Sequence, residues 1–167
     1  MNIVLTGFMA SGKTQISKAI SKIAGYNLVD TDSMIEEKCG MSINDIFEEY
    51  GEGKFRELEC EIVSEVSNLD NTVISTGGGV VLNPQNITNL RKNGIIVNLA
   101  PDFEVILERL NDARSTRPLL KNSDIESIHK RFLDRLPYYA DCDIQFKVTN
   151  KHSATYFAKK IIKLIQQ

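Results

Sequence analysis

Short apolar segments alternate along this chain with longer segments whose apolar residues recur every three or four positions. The short segments are typical of buried strands, and the longer ones of helices that bury one face. The pattern predicts five strands, at 2–6, 26–29, 72–75, 95–99 and 144–148. It predicts helices over 12–24, 33–38, 42–50, 53–69, 84–93, 101–111 and 124–139. In the first helix, the apolar spacing predicts a buried face formed by Ile16, Ala19, Ile20 and Ile23. A final helix is predicted near the end of the chain, with a buried face formed by Phe157, Ile161, Leu164 and Ile165.

The order of these elements indicates the fold class. Strands that alternate with helices, several of them apolar on both faces, predict a parallel sheet with helices on each side. Ile144, Phe146 and Val148 alternate with polar residues, so the last strand is expected at a sheet edge with one wet face. Residues 112–122 are polar and read as a mobile loop. The prediction is one α/β domain over residues 1–167.

Composition excludes several classes of function. The chain has 167 residues, 42% hydrophobic and 25% charged, with a net charge of −2. This balance argues against a nucleic-acid coat and against a polybasic membrane anchor. No apolar run approaches the ~18 residues that a membrane span needs, and no signal-peptide pattern opens the chain, so we expect a soluble cytoplasmic protein. Cys39, Cys60 and Cys142 form no C-x-x-C pair, which indicates reduced thiols and not a zinc site.

A phosphate-binding loop is predicted at residues 7–14, which match G-x-x-x-x-G-K-[ST] between a strand and a helix. Its glycines let backbone N–H groups surround a phosphate at the positive end of a helix. Lys13 can reach the β- and γ-phosphates, and the Thr14 hydroxyl can bind Mg²⁺. The sequence therefore predicts nucleotide binding.

Three classes of nucleotide-using protein are compatible with such a loop: a GTPase switch, an ATP-driven motor and a small-molecule kinase. No glycine has an Asp three positions before it, so the Asp-x-x-Gly of a GTPase is missing. The segment 150–153 resembles a guanine-reading N-K-x-D motif but ends in Ser153. A motor needs a longer chain. The kinase interpretation remains.

A kinase also needs an acceptor pocket at the carboxyl edge of the sheet. Asp30 and Asp32 follow the second strand; they could serve the metal and the acceptor, or could simply cap the next helix. Residues 77–79 are three glycines after the third strand; they could let a ligand approach the backbone, or could form a flexible turn. Both features lie where a ligand is expected.

Arg56 and Glu59 are one helical turn apart. They could form an ordinary surface pair, or Glu59 could orient Arg56 towards an anionic substrate. Further guanidinium groups, for which solvated surface charge is the default interpretation, come from Arg109, Arg114, Arg117 and Arg135. His129 and His152 are expected on a solvated helix face and on a loop, away from the active centre.

Taken together, these motifs resemble the shikimate kinase family over nearly the whole chain. The motifs are residues 7–14, 30–32, 51–59, 77–79 and 117–120. The resemblance implies transfer of a phosphoryl group from ATP to the 3-hydroxyl of shikimate, with Mg²⁺, on the route to chorismate and the aromatic amino acids. It also implies a monomer with the P-loop kinase fold: a three-layer sandwich with strand order 2-3-1-4-5, an acceptor region at about 31–60 and a lid at about 111–123.

The resemblance further implies individual roles. The implied catalytic residues are Lys13, Asp32 and Arg117. The implied nucleotide contacts are Gly7, Ala10, Ser11, Gly12, Lys13, Thr14, Arg109, Arg117 and Ala154. The implied shikimate contacts are Asp32, Ile43, Phe47, Phe55, Arg56, Glu59, Gly77, Gly78, Gly79, Leu119 and Arg135. Thr14 would bind Mg²⁺ directly and Asp30 through water.

The chain departs from the family pattern at two positions. Ala10 stands where the family commonly has glycine, and the methyl is expected to be tolerated with a negative φ. Ala154 stands where a proline often flanks the adenine. Another acceptor, such as gluconate or a nucleoside monophosphate, and a nucleotide-holding regulator without turnover are the alternative functions.

Overall fold

A five-stranded parallel sheet forms the centre of the molecule. The computed structural model describes residues 1–113 and 122–167. In this part of the chain the sheet has the order β2-β3-β1-β4-β5. The strands are β1 (Asn2–Thr6), β2 (Asn27–Asp30), β3 (Thr72–Ser75), β4 (Gly94–Leu99) and β5 (Ile144–Phe146). The order is the one that the resemblance implies.

Helices cover both faces of this sheet. Over the described ranges they are α1 (Lys13–Ala24), α2 (Thr31–Cys39), α3 (Ile43–Val66), α4 (Pro84–Arg91), α5 (Phe103–Ala113), α6 (Asn122–Tyr139) and α7 (Ala154–Ile165). A short 3₁₀ turn, Val80–Leu82, follows the three glycines. The α/β class is confirmed.

Side chains of the central strand alternate between two separate cores. All five residues of β1 are buried. Ile3 and Leu5 pack in the core that includes residues of α1 and α7. Val4 points the opposite way, into the core formed mainly with α3, α4 and α5. Because successive side chains of a strand face opposite sides, this burial on both sides produces the three-layer sandwich.

Some predicted positions differ from the structure at the ends of elements. The last strand ends at Phe146, so Val148 lies beyond it, although its side chain is fully buried. Ile23 and Leu164 are 43% and 44% exposed, whereas the apolar spacing predicts them in the core. Each lies in the last turn of its helix, at the periphery of the packed region, where helical periodicity no longer guarantees a covering surface.

The two predicted helices at 42–50 and 53–69 join into α3 with a sharp break at Gly51. Its backbone has φ 81° and ψ 171°, which a residue with a Cβ rarely adopts. The second half ends at Val66 instead of residue 69. The predicted loop over 112–122 is also shorter than expected, because α5 continues through Ala113 and α6 begins at Asn122. The rest of that loop lies outside the described residues.

The carboxyl ends of β1, β2 and β3 bring the candidate functional residues together. β1, β2 and β3 are parallel, so the segments that follow them leave the sheet at the same edge. Gly7 follows β1, Asp30 is the last residue of β2, and Thr76 follows β3. Within the described ranges, no helix has both the length and the apolar character to cross a bilayer.

Candidate active site

The loop between β1 and α1 has the backbone of a phosphate cradle. Gly12 has φ 100°, a conformation that favours glycine, and it precedes the first residue of α1, Lys13. The Lys13 ammonium donates to the carbonyl oxygens of Gly7 and Phe8, the latter at 3.0 Å. The loop thus surrounds the lysine at the positive end of the α1 dipole.

Gly7 is packed between the phosphate loop and the end of β4, and it does not line the cavity described below. A Cβ atom at Gly7 would stand 2.6 Å from Ser11 Oγ and 2.9 Å from the Leu99 carbonyl oxygen. Gly7 therefore has a packing role, and the nucleotide contact implied for it stays a prediction. Only a glycine lets β4 and the loop approach this closely.

Ala10 has φ 57°, in the left-handed region, which contradicts the expectation of a negative φ. For a residue with a Cβ this conformation costs roughly 1 kcal/mol. The loop path forces it, since Ala10 sits between the turn at Phe8 and the tight Gly12. Ala10 is thus a strained residue in the middle of the cradle.

A cavity of about 510 Å³ opens on one side of the loop. Seven of the predicted nucleotide contacts line it. The lining residues are Ala10, Ser11, Gly12, Lys13, Thr14, Gln15, Ile16, Arg109, His152, Ala154 and Phe157. The prediction that His152 lies away from the site is wrong. It sits on a loop, as expected, but stacks on Tyr156 with ring centroids 3.9 Å apart and forms part of the wall. His129 is exposed and stacks on Phe103, as expected for a helix face.

A second cavity, of about 370 Å³, opens on the other side of the loop. All predicted acceptor contacts within the described residues line it: Asp32, Ile43, Phe47, Phe55, Arg56, Glu59, Gly77, Gly78, Gly79 and Arg135. Leu119, the other predicted acceptor contact, and Arg117, a predicted nucleotide contact, lie outside the described residues. Met9, Ser75 and Thr76 also line the cavity and were missed, although Ser75 and Thr76 directly precede the three glycines.

The two cavities meet at Lys13 and Thr14, which line both. Asp32 and Arg56 therefore face the same space as the lysine of the phosphate loop. A molecule in the second cavity and a phosphate chain along the loop would touch at this boundary. The arrangement suits transfer of a phosphoryl group between them.

The two carboxylates after β2 have different surroundings. Asp30 caps α2, where it accepts a hydrogen bond from the Ser33 backbone N–H at 2.9 Å. Asp32 lies in the first turn, and its buried Oδ1 has no hydrogen-bond partner among the described residues. Burial raises the pKa of Asp32, and the Asp30 charge raises it further, against the opposing effect of Lys13. The cap interpretation is thus correct for Asp30 and wrong for Asp32.

The pKa of Lys13 is shifted in the opposite direction to that of Asp32. Burial lowers the pKa of its ammonium to about 8, and the nearby charges of Asp32 and Asp30 limit the decrease. The lysine is therefore protonated at neutral pH, but with a small margin. Removal of either carboxylate would reduce that margin.

Arg56 and Glu59 differ from an ordinary surface pair, because the carboxylate is buried and the guanidinium is half-buried. Arg56 Nη1 donates to Glu59 Oε1 at 2.9 Å, and Glu59 is 1% exposed. Burial raises the pKa of the Glu59 carboxyl, against the effect of Arg56. The break at Gly51 turns this part of α3 so that the Phe55 ring lies 4.7 Å from the Phe47 ring. These two rings form an apolar wall beside the guanidinium.

The three glycines are fixed in place, which excludes the flexible-turn interpretation. The Gly77 N–H donates to Thr31 Oγ1 at 3.1 Å, and the Gly78 carbonyl accepts from the Tyr139 hydroxyl at 2.6 Å. Tyr139 is buried, and burial raises its pKa. Sequence reasoning missed this tyrosine, since nothing in the helical pattern of α6 distinguishes it from its exposed neighbour Tyr138.

Oxygen donors suited to a hard cation lie at the boundary of the two cavities. The Thr14 hydroxyl and the carboxylates of Asp30 and Asp32 line the second cavity together. Among the described residues, no cluster of three or more His, Cys, Asp or Glu could hold a metal by itself. This set fits Mg²⁺, which usually binds through one or two protein oxygens and substrate phosphates.

Comparison with known sequences gives one consistent result. Residues 9–166 match the shikimate kinase family model. A shikimate kinase of Caldicellulosiruptor bescii is 51% identical over 164 residues, which cover 98% of this chain and 94% of that relative. A shikimate kinase of Caldicellulosiruptor saccharolyticus is 49% identical over the same shares.

Solved structures agree with this result. The crystal structure of shikimate kinase from Aquifex aeolicus matches with a TM-score of 0.85 and 36% identity, over 99% of this chain and 96% of that one. The shikimate kinase of Acinetobacter baumannii in complex with shikimate matches with a TM-score of 0.87 and 34% identity, over 99% and 92%.

Proposed function

The chain belongs to the shikimate kinase family, and from this premise we propose that it transfers the γ-phosphoryl group of ATP to the 3-hydroxyl of shikimate. The products are ADP and shikimate 3-phosphate. The observation that carries the proposal is the shared boundary at Lys13 and Thr14, with Asp32 and Arg56 facing it from the second cavity. The shikimate-bound relative supports the choice of acceptor.

In the proposed mechanism, Asp32 aims the acceptor hydroxyl and accepts its proton. The hydroxyl oxygen forms a bond to the γ-phosphorus as the bond to the bridging oxygen of ADP breaks. The position of Asp32 supports this role, because its side chain lines the same cavity as Lys13 and Thr14. The raised pKa of Asp32 also makes it a better base than an exposed carboxylate.

We assign the shikimate carboxylate to the guanidinium groups of Arg56 and Arg135, which line the same cavity. Glu59 uses one oxygen to hold Arg56 Nη1. A guanidinium can bind a carboxylate through two parallel hydrogen bonds, which fixes the orientation of the ring that carries it. The glycine backbone and the wall of Phe47 and Phe55 would contact the ring itself.

Lys13 neutralises charge on the β- and γ-phosphates as the transferring group moves. Mg²⁺, held by Thr14 directly and by Asp30 through water, would supply further charge neutralisation on these phosphates. Arg109 and Ala154 line the cavity that would hold the base and ribose. We further propose that residues 31–60 form the acceptor region, that a lid at about 111–123 brings Arg117 over the phosphates, and that the chain acts as a monomer in the cytoplasm.

A coupled assay for ADP release with ATP, Mg²⁺ and shikimate tests the proposal. We expect saturable turnover with shikimate, and turnover at least about a hundredfold slower with two other acceptors. A nucleoside monophosphate presents a phosphate where the guanidinium groups expect a carboxylate, and gluconate is an open chain without a ring to pack on Phe47 and Phe55. Efficient turnover with either of these, or nucleotide binding without turnover on shikimate, would contradict it.

Two variants test the assigned roles in the same assay. Asp32→Asn should abolish transfer while ATP binding, measured by calorimetry, stays nearly unchanged. Arg56→Lys should raise the KM for shikimate sharply, because an ammonium cannot replace the two-pronged guanidinium. Lys54→Ala, on the same helix and exposed, serves as the control. An unchanged KM in Arg56→Lys would count against the carboxylate site.

A further inference from the structure

Asn150, the first residue of the segment that resembles a guanine reader, makes two side-chain hydrogen bonds beside the nucleotide cavity. Its Oδ1 accepts from Arg109 Nε at 2.8 Å, and its Nδ2 donates to Glu108 Oε2 at 2.9 Å. A guanidinium can only donate and a carboxylate can only accept, so these partners fix the orientation of the amide. Both polar atoms of this side chain are already engaged within the protein.

The other two nitrogens of Arg109 connect separate parts of the site. Nη1 donates to the Ala10 carbonyl at 3.0 Å, and Nη2 donates to the Thr149 carbonyl at 3.3 Å. The guanidinium also lies against Gly12, where a Cβ atom would stand 3.3 Å from Nη1. Arg109 thus links α5, the phosphate loop and the segment that leads into α7.

From these contacts we propose that Asn150 is a positioning residue of the nucleotide site, which holds the Arg109 guanidinium against the phosphate loop. An arginine side chain has many rotamers, and the Asn150 bond at Nε restricts the part of the chain nearest the guanidinium carbon. At the tip of the arginine, Nη1 holds the backbone carbonyl of Ala10, the residue with the strained φ of 57°. When Asn150 is removed, Arg109 is free to leave the Ala10 carbonyl, and the cradle is less well ordered before nucleotide binds.

The proposal rests on the proposed function only in that the ligand of the loop is an adenine nucleotide. It differs from the base-reading role that the N-K-x-D resemblance suggests. A base reader changes the preference between ATP and GTP when it is replaced. A positioning residue weakens both nucleotides alike, because it acts through Arg109 and the phosphate loop.

The experiment measures ADP and GDP affinity by calorimetry without shikimate, together with steady-state kinetics. Asn150→Ala should weaken both nucleotides about tenfold and raise the KM for ATP similarly, with kcat and the KM for shikimate changed less than about twofold. Asn93→Ala is the matched control, since it also removes an exposed amide donor, to the Leu69 carbonyl, at the opposite edge of the sheet. It should leave all five quantities unchanged.

A rescue variant shows whether the effect of Asn150→Ala comes from the lost hydrogen bond to Arg109 or from nonspecific disruption of the fold. Asn150→Asp combined with Glu108→Gln keeps an acceptor for Arg109 Nε and reverses the direction of the second hydrogen bond. It should recover ADP affinity to within about threefold of the unmodified protein. Recovery would support the proposal, whereas failure to recover in a variant of normal Tm would contradict it.

Three other results in Asn150→Ala would overturn the inference. The first is an unchanged ADP affinity, and the second is an altered ratio of ADP to GDP affinity. The third is general damage, in which ADP affinity and Tm fall and the KM for shikimate rises as much as the KM for ATP. Because ADP binding needs no acceptor, the outcome is independent of the reaction. If the unmodified protein binds ADP but does not phosphorylate shikimate, the proposed function is wrong. The inference about Asn150 can still be tested in that case, by ADP binding alone.

Discussion

The carboxylate of Asp32 lies directly against the backbone of Gly77, so closely that a Cβ atom at position 77 would stand 2.5 Å from Asp32 Oδ1 and 3.0 Å from its Cγ. The first turn of α2 and the end of β3 are thereby fitted to each other through a glycine. The glycine is required by this contact and not by its backbone conformation, since its φ is not in the left-handed region. The position of the proposed base thus depends on a residue with no side chain.

Gly77→Ala should therefore move the carboxylate and lower kcat by at least about a hundredfold, because misplacement by about 1 Å is enough for such a loss. Steady-state kinetics with shikimate, and Tm by thermal unfolding, measure the effect. Gly78→Ala is the comparison variant: its methyl would lie in the acceptor cavity but meet its nearest neighbours at 3.6 Å or more, an ordinary contact distance, so kcat should fall much less. Equal losses in the two variants would argue that the whole glycine segment is merely sensitive to substitution.

Gly79→Ala should affect a different kinetic constant. Its Cβ would stand 2.6 Å from Arg56 Nη2 and 2.8 Å from Cζ. The guanidinium lies at the end of a flexible side chain and can shift cheaply, so Tm should change little. The KM for shikimate should nevertheless rise about tenfold or more, while the KM for ATP stays the same. A fall in Tm with an unchanged shikimate KM would show that Arg56 is not the group displaced.

Asp32→Asn should stabilise the fold while it abolishes transfer. A raised pKa means that the folded state disfavours the ionised carboxyl, so its penalty is present at neutral pH and vanishes as pH falls below the ordinary carboxyl range, where both states are protonated. We expect a higher free energy of unfolding than that of the unmodified protein at neutral pH and little difference in acid, measured by urea unfolding. Asp30→Asn keeps an effective helix cap and should be neutral. A loss of stability in Asp32→Asn at neutral pH would contradict the desolvation argument.

Nucleotide affinity should fall as Lys13 loses its proton. With a pKa of about 8, the lysine is charged at neutral pH and increasingly neutral above it, so ADP affinity should decline above about pH 8. Asp32→Asn removes the charge that most strongly supports the ammonium, so the decline should begin at lower pH. Calorimetric titrations across this range measure both. Asp70→Asn, at the opposite end of the sheet, should leave the profile unchanged, and a profile unaffected by Asp32→Asn would mean that the two groups do not interact.

Ala10→Gly should raise the free energy of unfolding by up to about 0.5 kcal/mol. Glycine removes the cost of φ 57°, although its greater freedom in the unfolded chain offsets part of the gain. Asn71→Gly is the control, because Asn71 also has a positive φ, 49°, but asparagine tolerates this region. The gain at position 71 should be smaller. A destabilised Ala10→Gly would show that the loop does not hold residue 10 in the left-handed region in solution.

The sequence specified most of the sheet and the phosphate loop because these depend on local rules. Residues 72–75 are predicted and found as a strand, and Gly51 interrupts helical residues at the expected place. The loop at 7–14 follows from residue types at fixed spacing. The ends of helices were less certain, as Ile23 shows, because burial there depends on what lies opposite and not on periodicity.

What the chain by itself determined was a set of chemical groups and the strand after which each one stands. The carboxylates after β2, the glycines after β3 and the Arg56–Glu59 pair could be named, but each had a structural alternative. Tertiary structure decided between them: Glu59 is buried, Asp32 has a free acceptor oxygen, and Ala10 takes a left-handed φ. Tyr139, His152 and the Arg109–Asn150 contact came from the fold as well. The physical reason is that burial, pKa and backbone strain arise from segments far apart in the chain that meet at one sheet edge, and no local pattern contains that information.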